Sequence, residues 1–170
     1  MADLLARSPA QGLLPVTHGT TTLSEVVPEA ITSLATLAGA TQDLPPPNRT
    51  TTLGDAILLW SGRGQALALG PAPDPIPGVA MTDQSDAFAI LRLGGPDADA
   101  VLARLTPLDL AIIEPGHTAR SLLGHMATLF HRIDSETWNL LLFRSMAGHA
   151  VHEIETAMRR VAARTYLPGA

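Results

Sequence analysis

The clearest pattern in the chain is helical and lies near its C-terminal end. Ala147, Ala150, Val151, Ile154, Ala157, Met158 and Val161 recur at spacings of three and four, which lines one face of a helix from Met146 to Arg164. Before it, Trp138 to Ser145 (WNLLLFRS) reads as a strand, set off by the turn Asp134-Ser135-Glu136. Thr118 to Ile133 has the length of one long bent strand or two short ones, with Gly124 the expected bend. Phe88 to Leu93 (FAILRL) alternates, so that Phe88, Ile90 and Arg92 face one way and Ala89, Leu91 and Leu93 the other. Gly94-Gly95-Pro96 ends that strand. Pro96 suits the first position of a helix, where a missing N–H costs nothing, and Asp97 and Asp99 fall in a first turn whose dipole favours negative charge. Val101, Leu102 and Leu105 form the inner stripe, and Pro107 stops the helix.

The pattern is weaker upstream. Residues 1–24 are broken by Pro9, Gly12, Pro15 and Gly19 and read as a weakly structured arm, either lying on a partner or frayed. Ala30 to Ala38 reads as a strand, with a short helix in competition. Pro45-Pro46-Pro47 predicts an extended linker. Ala56 to Trp60 (AILLW) and Gln65 to Leu69 (QALAL) predict a hairpin turning at Ser61-Gly62-Arg63-Gly64. The fold class expected is α+β: two small ferredoxin-like halves, the first degenerate, with an antiparallel sheet and helices packed on one face. The division is an N-terminal arm at 1–24, a first half at 25–70, a proline-rich linker at 71–80, and a second half at 81–165 ordered strand, helix, strand, strand, helix.

Composition narrows the chemistry. Of 170 residues, 46% are hydrophobic but only 4% aromatic, so Ala, Leu, Val and Ile must fill the interior. Charged residues are 16%, below the usual quarter, as when another chain covers part of a surface, although abundant Ala gives the same figure. The net charge of −5 and the lack of a basic cluster argue against nucleic acid. There is no cysteine, and all eleven cationic side chains are Arg. That removes thiolate nucleophiles, iron–sulfur clusters, thiolate zinc sites, Schiff bases and the P-loop lysine. The cysteine count fits a reducing compartment, and the first ten residues do not read as a signal peptide, so a cytoplasmic protein is expected. No apolar run reaches the roughly 18 residues of a membrane helix. Asn48-Arg49-Thr50 matches a glycosylation sequon by chance.

Several polar groups invite a chemical reading and a structural one. His149 and His152, with Glu153, sit at helical spacing for a metal, but on the polar side and without a third ligand, so a solvated or subunit-facing surface is the stronger reading. His125 and His131 share a face if their strand is regular, about 20 Å apart, too far for joint ligation. His125 reads as a packed, hydrogen-bonded or partner-facing residue rather than a catalyst. Asp83, Ser85 and a histidine lack the nucleophile elbow of a hydrolase; Thr82-Asp83-Gln84-Ser85 reads better as a loop that caps itself. Arg92 and Arg144, on predicted strands, pair with a carboxylate, Asp109 being one candidate, or reach an interface, the functional alternative being an anionic ligand such as a folate tail. Gly62-Arg63-Gly64 and Gly94-Gly95 are turns, not phosphate loops.

Five segments together resemble a known family. Thr82-Asp83-Gln84-Ser85, Arg92-Leu93-Gly94-Gly95-Pro96, Leu105-Thr106-Pro107-Leu108-Asp109-Leu110, Leu123-Gly124-His125-Met126 and Phe143-Arg144-Ser145-Met146-Ala147 resemble, in order and spacing, the gamma subunit of heterotetrameric sarcosine oxidase. Gly95-Pro96-Asp97-Ala98 is also similar to a helix start in the folate-binding domain of aminomethyltransferases. The resemblance implies a gamma-type subunit without its own active site. Its partners would be an alpha subunit, a flavin-carrying beta subunit and a zinc-binding delta subunit. FAD, FMN, NAD, folate and zinc would sit in those partner chains, with no catalytic, cofactor or metal residue in this one. The assembly would oxidise sarcosine to glycine, produce hydrogen peroxide and pass a one-carbon unit to tetrahydrofolate. The interface or structural motif residues it marks are Asp83, Gln84, Ser85, Arg92, Gly95, Pro96, Asp109, His125, Arg144 and Ser145. Two other functions compete: a stand-alone folate-binding or one-carbon transfer protein, and a small ligand-sensing α+β domain that self-associates.

Overall fold

Alternating apolar positions organise the chain into two antiparallel sheets, and the C-terminal apolar stripe lays the main helix on one of them. The computed structural model describes residues 7–38 and 44–165. Its strands are β1 (Val16–His18), β2 (Thr21–Val26), β3 (Ala30–Thr36), β4 (Thr50–Leu53), β5 (Ala56–Gly62), β6 (Gln65–Gly70), β7 (Val79–Asp83), β8 (Phe88–Gly94), β9 (Thr118–Leu123), β10 (Met126–Arg132) and β11 (Thr137–Phe143). The helices are α1 (Ala98–Leu102) and α2 (Ala147–Thr165). The larger sheet has the order β1-β2-β8-β11-β10-β9 and the smaller β4-β5-β6-β3-β7. The fold class is α+β, as expected.

Three apolar clusters separate the layers. The first lies between the larger sheet and the helices, where Leu91, Leu93, Phe130, Trp138 and Leu140 meet Val101 and Leu102 of α1 and the stripe of α2. All seven stripe residues named from the sequence are buried, Ala147, Ala150 and Ile154 completely. Each large one contributes roughly 1.5–3 kcal/mol by leaving water. The second cluster joins the two sheets through Ile31, Leu59, Leu67, Ile90, Leu129 and Leu141. The third lies on the far face of the smaller sheet, where Leu34, Leu58 and Val79 are covered by Leu44 and by Ile76 of the proline-rich segment.

The structure corrects several expectations upstream. Over its described residues the arm is structured: β1 and β2 form a hairpin that pairs with β8, and Ala10 is buried in the helix-side cluster. Residues 1–6 lie outside the described residues. The first half contains no helix among the described residues; β3, the β5–β6 hairpin and two unforeseen edge strands, β4 and β7, form its sheet. Around the three prolines the chain closes a turn, with the Arg49 N–H donating to the Pro46 carbonyl at 3.0 Å. Downstream, Thr118 to Ile133 resolves into two strands.

Candidate functional site: the cleft between the sheets

Cross-strand register places three successive rows on the face of the larger sheet that looks toward the smaller one. The outermost row runs Phe88–Phe143, continued by Ala127–Leu122. Next comes Val26–Ile90–Leu141–Leu129–Arg120, and then Ser24–Arg92–Asn139–His131–Thr118. The smaller sheet covers the inner rows and leaves the outer one open. The result is a cleft of about 500 Å³ between the sheets, lined by Phe88, Phe143, Leu122, Leu129 and Leu141 on one wall and Ser33, Ser61, Gln65 and Leu67 on the other. Phe88 and Phe143 stack with centroids 5.6 Å apart, and Phe143 remains 55% exposed at the lip.

The sheets are stitched together along the side of β9. The Thr118 hydroxyl donates to the Trp60 carbonyl at 3.1 Å, and Arg120 Nη1 donates to the Ser61 carbonyl at 3.0 Å. Among the described residues, Arg120 is the only charged one lining the cleft.

On the other side the chain crosses between the sheets at Asp83-Gln84-Ser85. Asp83 Oδ1 accepts from both the N–H and the hydroxyl of Ser85, at 2.9 and 2.6 Å. These bonds hold the Asp83 carboxyl below its ordinary range. The Ser85 hydroxyl oxygen accepts from the Ile31 N–H at 3.0 Å, and the Gln84 N–H donates to the Ile31 carbonyl at 2.7 Å. Asp83 and Ser85 therefore fix the crossover, and Gln84 also lines the cleft. Arg144 and Ser145 follow β11 in a single turn of 3-10 helix, rather than lying in a strand. The Arg144 N–H donates to the Ala87 carbonyl at 2.8 Å, while its guanidinium reaches the Arg7 carbonyl and lies 3.7 Å from Asp86. The third row is polar and mostly buried. Arg92 Nε donates to Asn139 Oδ1 at 3.0 Å. His131 is buried, and its Nδ1 has no hydrogen-bond partner among the described residues. Desolvation, then the charge of Arg92, lowers its pKa to about 4.

The remaining marked residues lie elsewhere. Asp109 pairs with neither Arg92 nor Arg144; it accepts from the Ala111 N–H at 3.1 Å and caps a short 3-10 turn. His125 stands exposed in the tight β9–β10 turn, so it shares no strand face with His131. Gly95 and Pro96 lie in the turn before α1: its first helical residue is Ala98 and Asp97 is the N-cap, so Pro96 does not take the first helical position, and the helix ends at Leu102, short of Leu105 and Pro107. Gly95 has φ +123°, and a Cβ there would lie 2.0 Å from the Thr20 carbonyl oxygen, so only glycine lets the chain pass β2. His149 and His152 are exposed, and His149 lies 3.9 Å from Glu153. No group of three metal-binding side chains occurs among the described residues.

Two arrangements were not read from the sequence. Arg120 gave no signal beyond its place between Thr118 and Leu122. Arg132 spends all five N–H donors: Nε on the Asp134 carbonyl, Nη1 on those of Leu110 and Ile113, and Nη2 on the Ser135 carbonyl and Asp99 Oδ2, at 2.7–3.1 Å. It also covers the Trp138 ring at 4.9 Å, and Trp138 Nε1 donates to the other Asp99 oxygen at 2.7 Å.

The molecule thus belongs to a layered α+β class in which a helix covers one face of a larger antiparallel sheet and a smaller sheet covers the other. No family model and no curated protein matches the chain. Among solved structures, the fold is shared with a chain of the heterotetrameric sarcosine oxidase from Corynebacterium sp. U-96, determined in complex with pyrrole 2-carboxylate. The superposition covers 94% of this chain and 97% of that one, with a TM-score of 0.78 and 23% identity. That likeness is one of fold.

Proposed function

We propose that this chain is a gamma-type subunit, without an active site of its own, of a sarcosine oxidase-type heterotetramer. The observation that carries the reading is the near end-to-end superposition on a chain of such an assembly. Because the coverage is almost equal both ways, that chain is close to this one in length. The five-segment resemblance adds the gamma assignment. In this reading alpha, beta and delta subunits are the partners, and FAD, FMN, NAD, folate and zinc belong to them. The assembly is cytoplasmic, demethylates sarcosine with release of hydrogen peroxide, and passes the one-carbon unit to tetrahydrofolate.

The roles of the marked residues agree with an assembly function. Asp83, Ser85, Gly95, Pro96 and Asp109 shape turns and crossovers, which leaves the surface to make contacts. Large apolar side chains stand on that surface, with Ile112 72% and Met146 46% exposed. Such exposure suits an interface. His125, Arg144 and Ser145 are placed to take part.

The test is to tag the chain in its native host, purify it gently, and record native mass and visible absorbance. A complex containing larger chains and a visible flavin spectrum is expected. A colourless monomer or homo-oligomer as the sole species would overturn the proposal. A second reading, a stand-alone small-ligand-binding protein, is favoured by the 500 Å³ cleft, which falls in the usual size range of ligand pockets.

A further inference from the structure

We infer that the cleft between the sheets binds a flat apolar ligand carrying one carboxylate, with Arg120 as the anion contact. The cleft is lined by residues of this chain, so the inference is tested on the chain itself and does not rest on the proposed assembly.

Three observations converge. The floor is apolar and made by both sheets, from Leu67, Leu129 and Leu141, while the stacked Phe88–Phe143 pair forms a flat wall at the mouth. Burying a planar body against those side chains removes apolar surface from water on both partners. Among the described residues that line it, Arg120 is the single charge, in a chain whose net charge is −5. An anion therefore meets one cation and no lining carboxylate. Finally, Nη1 of Arg120 is held by the Ser61 carbonyl, which fixes the guanidinium across the gap between β9 and β5. Its other nitrogens make no hydrogen bond to the described residues, leaving donors for a carboxylate. Gln84 lines the same space and adds an uncharged amide for further polar groups.

The test uses the full chain, labelled with nitrogen-15, and naphthalene-2-acetate as probe, with naphthalene-2-acetamide as its uncharged counterpart. A ligand of this size binding with ordinary efficiency has a Kd of about 1 mM. The acid is expected to shift the amide signals of Leu67, Gln84, Ser121 and Leu129 in a saturable way, and the amide to bind about tenfold more weakly. Arg120→Gln should abolish that preference, and Arg120→Lys should restore part of it. Phe143→Ala should weaken both probes about equally. Equal binding of acid and amide to the native chain would overturn the inference. So would shifts confined to another surface, or no saturable shift at 5 mM, roughly five times the expected Kd. Because Arg120 is exposed, its variants should retain the native amide spectrum, which the same experiment records.

Discussion

Replacing Arg132 tests whether one guanidinium holds the β10–β11 turn and α1 onto the larger sheet. Arg132→Met keeps the aliphatic stem and removes all five donors. Two of the five bonds, to the Asp134 and Ser135 carbonyls, lie where water can replace them and contribute little. The three to Leu110, Ile113 and Asp99 are partly buried. At about 1 kcal/mol each they contribute ~3 kcal/mol. The contact with Trp138 adds ~0.5–1 kcal/mol. For a domain of this length each kcal/mol corresponds to roughly 3 °C in Tm, so Arg132→Met should melt about 10 °C lower. Arg132→Lys retains the charge but not the planar fork, cannot reach all three acceptors, and should fall about halfway. Differential scanning calorimetry at pH 7.5 measures both. A Tm for Arg132→Met within 2 °C of the parent would refute the reasoning, because water would then serve those three acceptors as well as the guanidinium does.

Three further predictions are read by the same thermal assay. His131 titrates near 4 when folded and near 6.5 when unfolded, so the stability it contributes is present above pH 6.5 and is lost as the pH falls toward 4. The full loss is on the order of 3 kcal/mol; Tm should decline between pH 6.5 and 5, and His131→Gln should flatten that slope, whereas an unchanged slope would show that other groups cause it. Gly95→Ala forces a Cβ into the Thr20 carbonyl at a positive φ and should cost more than about 3 kcal/mol, giving little soluble protein; normal yield and Tm would contradict the close approach. Ser85→Ala leaves the Ile31 N–H without its acceptor and should cost about 1–2 kcal/mol, lowering Tm by roughly 3–6 °C; Ser85→Thr should recover most of it.

The second half of the fold was legible because its periodicities are strong. The α2 stripe, the alternation in β8 and the acidic first turn of α1 at Asp99 each follow from one local rule. What escaped is equally physical. β4 is Thr50-Thr51-Thr52-Leu53, an edge strand with little to bury, so it carries no apolar alternation. β1 and β2 are short and threonine-rich, and Gly19 reads as a breaker when it is the turn of their hairpin. The self-capping of Asp83 and Ser85 could be read from residue type, because such bonds are made two residues apart. The same holds for Asp109 and the Ala111 N–H, whereas the partners of Arg92 and Arg132 could not be read, since register and loop closure decide them. Arg120 and Phe143 meet in one cleft only because β9, β10, β11 and β8 lie side by side.

The placement of β1 and β2 has a consequence for synthesis. They are synthesised before β3 to β7, so their partner β8 follows only after the entire smaller sheet has been made. Until then the hairpin has no sheet to join, and Leu23, fully buried at the end, stays in water. Loop closure over such a separation makes docking of this hairpin a late step. For the same reason the molecule does not divide at its proline-rich segment. A fragment beginning at Met81 would present β8 as a bare edge, open to pairing with another copy of itself.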